Sequence, residues 1–281
     1  SYYMIKFEKY HGLGNDFIIF NYKDLILNNI KEENFSDLAV KVCNIHTGIG
    51  ADGMMVLVEK EDCCQMIFIN SDGSIASMCG NGIRCFSNYI YNNKILDGTN
   101  YKVETLAGLL NLDIYPNEKF TVRVNMGKPT LKPNVVPVDT FKEKFINEEL
   151  VIDGKDYKVS SLLMGVPHTV LFVDDFKNID LVKVGKAIEN NPIFPKKTNV
   201  NFVQILNEDE VIVETWERGA GHTLACGTGS CASVVIGELL GYLNSKVTVH
   251  LRLGDLAIEV KDEIYMTGPS NLIAKGEYKY N

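Results

Sequence analysis

Residues 229–243 read GSCASVVIGELLGYL, a run that is apolar on almost every side when it is placed on a helix. A helix without a polar face must be surrounded by protein. The segments around this run are mostly short and rich in β-branched and aromatic residues, with Gly, Asn, Asp or Pro at their ends, as is typical of strands. The pattern therefore predicts an α+β fold in which a sheet wraps around a central α-helix.

The same criteria locate the other elements along the chain. Helices are predicted at residues 36–43, 81–92, 181–189 and 229–243. Strands are predicted at residues 18–20, 54–58, 66–69, 102–105, 110–114, 121–124, 169–173, 202–205, 211–215, 247–251 and 257–260. Strands outnumber helices, which favours a sheet-based architecture.

The apolar helix has a weaker copy earlier in the chain. CGTG at residues 226–229 is matched by CGNG at residues 79–82, and each motif opens a predicted helix. Gly108 follows Cys79 by 29 residues, much as Gly254 follows Cys226 by 28, and MGKP at 126–129 is matched by MTGP at 266–269. Matches in one order indicate a duplication.

The length also fits a duplication, since 281 residues correspond to about two domains at roughly 150 residues each. We predict two pseudo-symmetric, strand-rich domains, each with a central helix. The N-terminal domain covers residues 1–127, with the C-terminal segment 268–281 returning to it, and the C-terminal domain covers residues 128–267.

Charge and hydropathy exclude several classes of protein. The chain has 28 Lys and Arg against 36 Asp and Glu, a net charge of −8, and no basic stripe, which argues against nucleic acid or an anionic membrane surface as a partner. No apolar run approaches the roughly 18 residues of a membrane span, and the start of the chain has no signal core. We expect a cytoplasmic protein whose native start is Met4, the residues before it being the remnant of a tag.

The cysteines do not form a disulfide framework or a zinc site in this interpretation. Their number, seven, is odd, so reduced thiols are expected, and no C-x-x-C spacing is present to bind a metal. Five of them are expected to be structural, since they have no activating context: Cys43, Cys63, Cys64, Cys85 and Cys231.

Cys79 and Cys226 stand apart because each precedes a helix at a C-G-x-G motif. Glycines there expose backbone N–H groups, and the positive end of a helix stabilises an anion and lowers the pKa of a cysteine. A lone cysteine of this kind is more often a buried core residue. Two such cysteines, one in each duplicated half, are suited to a reaction in which one removes a proton from one face of a carbon and the other adds a proton to the opposite face. The N–H groups at the helix starts would hold the substrate carboxylate.

A series of longer motifs spans the chain: HGLGNDF at 11–17, GIGADG at 48–53, FINSDGSIASMCGNGIRCF at 68–86, VNMGKP at 124–129, MGVPH at 164–168, TNVNF at 198–202, WERGAGHTLACGTGSCA at 216–232 and YMTGP at 265–269. Together they resemble the diaminopimelate epimerase family. The resemblance implies that each domain is a β-barrel-like sheet wrapped around a central α-helix, with the active site in the cleft between the two domains. It also implies interconversion of LL- and meso-2,6-diaminopimelate in lysine biosynthesis, with no cofactor and no metal. One cysteine acts as thiolate base and the other as thiol acid.

The resemblance also implies the other members of the site. His168 and Glu217 are expected to help deprotonate or orient the catalytic groups, and Glu217 also to contact substrate. The remaining substrate contacts are expected from Asn15, Asn70, Gly80, Asn81, Asn199, Arg218, Gly227 and Thr228. Their amides, backbone donors and guanidinium suit an amino-acid ligand. The expected partner is this small molecule, and a homodimer is left open.

Two positions depart from the family pattern. Gly53 stands where many members have Gln, and Val166 stands where they have Asn, so two side-chain amides are missing from the expected site. Neither is a base, so proton transfer at the first stereocentre is expected to survive. Recognition of the second stereocentre is less constrained.

Alternative functions remain at the level of the sequence. One is a cofactor-independent racemase of another amino acid, such as histidine. Another is a non-catalytic binding or redox-responsive module on the same fold. A hydrolase that uses Cys226 and His168 leaves the first C-G-x-G motif without a role. A dinucleotide-binding fold lacks the alternating strand and helix pattern that it requires.

Overall fold

The computed structural model describes residues 3–76, 79–224 and 226–281. The chain divides into two units, Ser1–Val124 with Gly268–Asn281, and Asn125–Thr267. Each unit is a mixed sheet with helices on its faces, so the α+β prediction is confirmed.

The first unit contains three helices and nine strands within the described residues. Its helices are α1 (Tyr22–Leu27), α2 (Phe35–Cys43) and α3 (Gly80–Asn92), with a short 3₁₀ helix at Glu32–Asn34. Its strands are β1 (Tyr3–Gly12), β2 (Asn15–Asn21), β3 (Gly53–Glu59), β4 (Cys64–Asn70), β5 (Ile75–Ala76), β6 (Asn100–Thr105), β7 (Gly108–Pro116), β8 (Phe120–Asn125) and, from the end of the chain, β18 (Asn271–Tyr280).

The elements of the second unit follow in chain order. Its helices are α4 (Leu181–Glu189) and α5 (Gly227–Leu239), with a 3₁₀ helix at Phe176–Asn178. Its strands are β9 (Glu148–Ile152), β10 (Lys155–Met164), β11 (Val166–Phe172), β12 (Asn199–Asn207), β13 (Glu210–Glu217), β14 (Gly221–Thr223), β15 (Lys246–Leu251), β16 (Gly254–Val260) and β17 (Ile264–Pro269).

The two sheets have the same topology. In the first, β1–β2 is antiparallel, β2–β3 parallel, β3–β4 and β4–β5 antiparallel, β4–β6 parallel, and β6–β7 and β7–β8 antiparallel. In the second, β10 to β17 repeat this series in the same order, with the parallel pairs at β11–β12 and β13–β15. In both units, the segments that connect the strands of each parallel pair contain the helices. The duplication inferred from the C-G-x-G motifs is therefore present in the strand order.

Each sheet is covered on both faces, which explains its continuous apolar runs. Ile18 and Phe20 of β2 pack in the cluster that includes α2, whereas Phe17 faces α3 near Gly82. In the second unit, Val200 and Phe202 pack with α4, and Asn201 between them faces Gly229 of α5. The period of two along a strand thus sorts core residues from site residues.

The apolar helix α5 is enclosed as predicted, with contacts to β10, β11, β12, β13 and β16. It begins two residues before the predicted start and ends at Leu239 instead of residue 243. Gly241 ends it, because a φ of 77° turns the backbone and lets the amides of Tyr242 and Leu243 bond to the carbonyl of Gly237.

Several strands were absent from the sequence prediction, namely β1, β5, β9, β10, β14, β17 and β18, as was helix α1. Most of β18 is exposed and lacks an apolar alternation, so its sequence favours no strand. It becomes a strand by pairing with β1 at the other end of the chain, where Ile5 lies opposite Tyr278. Within the described ranges, no helix is long and apolar enough to cross a membrane.

Candidate active site

Cys79 and Cys226 occupy the same position in the two units, the N-cap of a 13-residue helix. Their backbone angles are nearly identical, with φ −138° and ψ 131° at Cys79 and φ −136° and ψ 109° at Cys226. Both have the extended conformation of an N-cap, at the helix end where the first N–H groups have no partner within the helix. Each sulfur therefore lies at the positive end of a helix dipole.

The sulfur of Cys226 has its own set of donors. Its Sγ accepts from the amide of Gly229 at 3.3 Å, and the hydroxyl of Thr228 lies 3.6 Å away. Cys226 is 8% exposed, so these donors replace water around the sulfur. Both favour a negative charge on it.

His168 acts on this cysteine through Thr228. Its Nε2 lies 2.8 Å from the Thr228 hydroxyl, and its Nδ1 lies 3.0 Å from Nδ2 of Asn201. That Asn201 nitrogen also reaches the carbonyl of Thr169, which accepts only, so Nδ2 is the donor and His168 Nδ1 the acceptor. The proton of the imidazole is thus on Nε2, where it donates to Thr228.

Burial keeps His168 neutral. The side chain is fully buried, and desolvation, followed by the charge of Arg218, lowers its pKa to about 3. A neutral imidazole in this tautomer orients the Thr228 hydroxyl toward Cys226. His168 is therefore placed to orient the cysteine through a hydroxyl.

The loop that follows β13 is anchored by buried polar groups. Asn199 Oδ1 accepts from the amide of Arg218 at 2.8 Å, and the guanidinium of Arg218 donates to the carbonyl of Lys196 at 3.0 Å. Glu189 accepts from Trp216 Nε1 at 2.8 Å and from the amide of Gly219 at 3.0 Å. Glu217, the last residue of β13, is half-buried at the start of this loop. The loop thus places Glu217 and Arg218 on a fixed support.

In the first unit, a chain of side chains runs along the start of α3. Arg84 Nη2 donates to Asn81 Oδ1 at 2.5 Å, Asn81 Nδ2 donates to Asn15 Oδ1, and Asn15 Nδ2 donates to Asp52 Oδ2 at 3.1 Å. Two of the predicted substrate contacts, Asn15 and Asn81, are therefore in direct contact. Asn70 lies apart from this chain at the end of β4, where its Nδ2 donates to Ser74 at 3.0 Å.

The structure provides a reason for the missing amide at position 53. A Cβ on Gly53 would lie 2.7 Å from the ring of Phe68, which packs edge-on against Phe17 with centroids 5.7 Å apart. An aromatic side chain thus occupies the space that a larger residue would need. Val166, the other departure, is the first residue of β11, where it corresponds to Asn15 of β2.

The other cysteines are kept protonated by their surroundings. Burial raises the pKa of Cys43, Cys64 and Cys85 to about 12 and raises that of Cys231 as well. Cys63 is half-buried, and desolvation followed by Glu104 raises its pKa. No group of His, Cys, Asp and Glu in the described ranges is arranged to hold a metal ion.

Sequence analysis did not identify three polar residues that organise this site, Arg84, Asn201 and Glu189. Asn201 lies inside the TNVNF motif and Arg84 inside CGNGIRC, so both were within quoted motifs. The usable signal was at Arg84, a cation between Ile83 and Cys85 on an apolar stretch of helix. A charge in such a place must be buried with specific partners.

Comparisons with known proteins show which family the sequence of this chain matches. The family model for diaminopimelate epimerase matches residues 7–132 and 160–273. A protein named diaminopimelate epimerase from Alkaliphilus metalliredigens is 48% identical over 280 residues, covering 98% of this chain and 97% of its own. One of the same name from Carboxydothermus hydrogenoformans is 46% identical over 278 residues, covering 98% and 99%.

Solved structures share the fold at low identity. A phenazine biosynthesis protein of the PhzF family from Bacillus anthracis matches with a TM-score of 0.71 at 13% identity, covering 98% of this chain and 99% of its own. A hydroxyproline epimerase from Agrobacterium vitis matches with a TM-score of 0.67 at 13% identity, covering 99% and 92%. The fold is thus common to proteins of different names.

Proposed function

The chain belongs to the diaminopimelate epimerase family, and from this we propose that it interconverts LL- and meso-2,6-diaminopimelate in lysine biosynthesis. The observation that carries the proposal is the pair of cysteines, Cys79 and Cys226, at the N-caps of topologically equivalent helices. A substrate inverted at one carbon needs one acid and one base of similar chemistry, and a duplicated fold provides them.

The proposed reaction is a two-base proton transfer. The thiolate of one cysteine takes the proton from the α-carbon, so the C–H bond breaks and an S–H bond forms. The thiol of the other cysteine gives its proton to the opposite face of the same carbon. The two sulfurs end with their roles exchanged, which allows the reaction to run in both directions.

The helix starts have a second role, since negative charge moves onto the α-carboxylate as the proton leaves. Backbone N–H groups in the first turns, at Gly80 and Asn81 and at Gly227 and Thr228, are the proposed donors to this charge. Such donors are already oriented before the reaction, so they cost little reorganisation.

The remaining polar residues are proposed to hold the substrate. Arg218 suits a carboxylate because its guanidinium donates in a fork, and Glu217 suits an ammonium group. Asn15, Asn70 and Asn199 are proposed as further contacts through their amides. His168 is proposed to orient Thr228 and through it Cys226, as the hydrogen bonds of the neutral imidazole suggest.

A second candidate, a racemase of another amino acid, is favoured by one observation. Gly53 and Val166 leave two family amides absent, and the ring of Phe68 occupies the space beside Gly53. The loss of these amides is expected to alter how the distal end of the substrate is recognised. The two candidates share the proton transfer and differ in this recognition.

One experiment separates these candidates. The purified protein in reducing buffer is incubated in D₂O with LL-diaminopimelate and, in parallel, with single-centre amino acids including histidine. Conversion to the meso form with deuterium at the inverted carbon is expected with diaminopimelate. Exchange with a single-centre amino acid but not with diaminopimelate would favour the second candidate, and exchange with none would contradict both.

The assembly and location remain predictions from the sequence. We propose a homodimer in the cytoplasm, as the family resemblance suggests. Light scattering coupled to size exclusion tests the first part, since a mass of one chain, 31.4 kDa, would contradict it.

A further inference from the structure

Arg84 is a buried cation whose hydrogen-bond acceptors are all neutral. It is the largest fully buried side chain among the described residues, with no exposed surface. Its Nε donates to the carbonyl of Pro269 at 3.0 Å, Nη1 to the carbonyl of Gly80 at 3.1 Å, and Nη2 to Asn81 Oδ1 at 2.5 Å. Removing a guanidinium from water is costly, and these acceptors satisfy its N–H groups without cancelling its charge.

The charge lies close to the first proposed catalytic sulfur. Arg84 is five residues past Cys79, and Gly80, whose carbonyl it binds, is the residue after Cys79. Burial lowers the pKa of Arg84, and Cys85 and then Cys79 act in the opposite direction, so Arg84 and Cys79 also interact electrostatically. A cation at such a place favours a thiolate.

Arg84 also determines how two amides point. An arginine only donates and an ionised aspartate only accepts, so the chain from Arg84 through Asn81 and Asn15 to Asp52 has one direction. Each asparagine is held with its oxygen toward Arg84 and its nitrogen toward Asp52. Neutralising either end would allow the amides to turn over.

The second unit has no such charge at the matching position. Alignment of the two C-G-x-G motifs places Cys231 opposite Arg84, each five residues past its N-cap cysteine. Cys231 is fully buried, and its thiol is kept neutral by that burial. The two helix starts therefore share their dipole but differ by one buried positive charge.

The other ionisable groups around α3 do not offset this charge near Cys79. From β1, Glu8 faces the helix but bonds to Asn93 at its far end, about 21 Å along the axis from Cys79 at 1.5 Å per residue. The nearby groups on β2 that face the helix, Asn15 and Phe17, are neutral. Immediately before β18, the residue that accepts a hydrogen bond from Asn88 is the neutral Ser270.

Three further ionisable groups lie near the helix start. Asp52 ends the amide chain, where Asn15 and Asn81 separate it from Arg84. Asp16 of β2 pairs with Lys9 of β1 at 3.2 Å, so its charge is already compensated by a cation. Cys85 of α3 is neutral at physiological pH, since burial raises its pKa to about 12. Among the described residues of these elements, the hydrogen-bond acceptors of Arg84 are thus neutral, and its buried charge is not cancelled by a direct ion pair.

We propose that Arg84 is a positioning residue that stabilises the thiolate of Cys79 and holds Asn81 and Asn15 in one orientation. This rests on the proposed function in assigning Cys79 a role in proton transfer. It adds an asymmetry to the duplicated site, because the second unit stabilises Cys226 with the neutral donors Thr228 and Gly229 instead.

The test measures the acidity of each cysteine without substrate. The rate of iodoacetamide alkylation is followed against pH for Cys79 and Cys226 separately, by peptide mass spectrometry of the full chain. In the unmodified protein the Cys79 midpoint is expected below the ordinary thiol value of about 8.5. In Arg84→Met it is expected to rise by about one pH unit, so that alkylation near neutral pH slows about tenfold.

Three comparisons make the result specific. Arg84→Lys keeps a charge without the fork and is expected to retain most of the low Cys79 midpoint. The Cys226 midpoint should not move in either variant. Arg252→Met removes an exposed arginine of the second unit and should leave both midpoints unchanged.

A folded Arg84→Met protein whose Cys79 midpoint stays in place overturns the proposal, as does an equal shift at both cysteines. If Arg84→Met does not fold, the proposal is tested with the unmodified protein and Arg84→Lys. A Cys79 midpoint at or above about 8.5 in the unmodified protein also overturns the proposal. Alkylation needs no diaminopimelate. A failure here is therefore distinct from a failure of turnover.

Discussion

At the scale of single residues, the proposed reaction depends on two sulfur atoms with different neighbours. We expect Cys79→Ala and Cys226→Ala each to lower epimerisation by about 10²- to 10⁴-fold or more, since one of the two proton carriers is lost and a positioned acid or base contributes that much. The measurement is conversion of LL- to meso-diaminopimelate in reducing buffer.

The matched control for these variants is Cys231→Ala, which removes a fully buried thiol from α5 that has no role in the proposed reaction. It should keep its turnover. Full activity in either the Cys79 or the Cys226 variant would contradict the two-base reaction.

His168 makes the stability of the protein depend on pH. Its pKa falls from an ordinary 6.5 to about 3 on folding, because desolvation disfavours the charged ring. Between these values the unfolded chain binds a proton that the folded chain does not, so the free energy of unfolding decreases as pH falls from 6.5 toward 3. The contribution reaches about 1.4 kcal/mol per pH unit.

Urea unfolding at several pH values tests this, with His168→Gln expected to show a shallower dependence over that window. The exposed His46→Gln is the control and should follow the unmodified protein. Equal slopes for His168→Gln and the unmodified protein would show that another group carries the dependence.

At the scale of the helices, the two C-G-x-G motifs tolerate a methyl group differently. A Cβ on Gly229 would clash with Oδ1 of Asn201, which holds His168, and would lie 3.2 Å from Cys226 Sγ. A Cβ on the corresponding Gly82 would instead meet the terminal methyl of Met55 at 2.5 Å. A methionine end moves easily, whereas a buried amide with fixed partners does not.

We therefore predict that Gly229→Ala lowers the free energy of unfolding by about 1–3 kcal/mol, as overpacking commonly does. Both changes gain the same helix propensity of about 1 kcal/mol, so the difference between them comes from the neighbour that must move. Gly82→Ala should cost less, because the end of Met55 moves easily. Urea titration of the two variants gives the comparison. A larger loss for Gly82→Ala would contradict it.

At the scale of the whole molecule, the chain ends are joined within the first unit. β18 pairs with β1 along nearly its full length, and the hydroxyl of Tyr280 donates to Asp37 at 2.8 Å. Removal of residues 271–281 leaves β1 without this partner and exposes the cluster that contains Ile5 and Phe20.

Such a truncation is expected to open the first unit and spare the second. Limited proteolysis read by mass spectrometry should show faster cleavage within residues 4–124 and an unchanged rate within 125–267. Deletion of Asn281 alone is the control. Equal protection of the first unit in the truncated and full-length chains would contradict the prediction.

The local sequence was sufficient for several features, because each depends on neighbours a few residues away. The helix of residues 229–243 was evident from its apolar surface and its glycine, and helix caps at Cys79 and Cys226 followed from the C-G-x-G motifs. The duplication was visible as matched spacing, and the motifs indicated the family. Exact helix ends were not evident, since Gly241 ends α5 through its own backbone angle.

The tertiary structure decided the rest, because it depends on contacts between distant parts of the chain. Asn15 and Asn81, 66 positions apart, meet when β2 packs on α3, and Asn201 meets His168 across a parallel strand pair. In the sequence Arg84 is a charge between apolar residues, and nothing there shows which groups it meets. Its charge matters for the site because folding buries it on neutral acceptors beside one of the two cysteines.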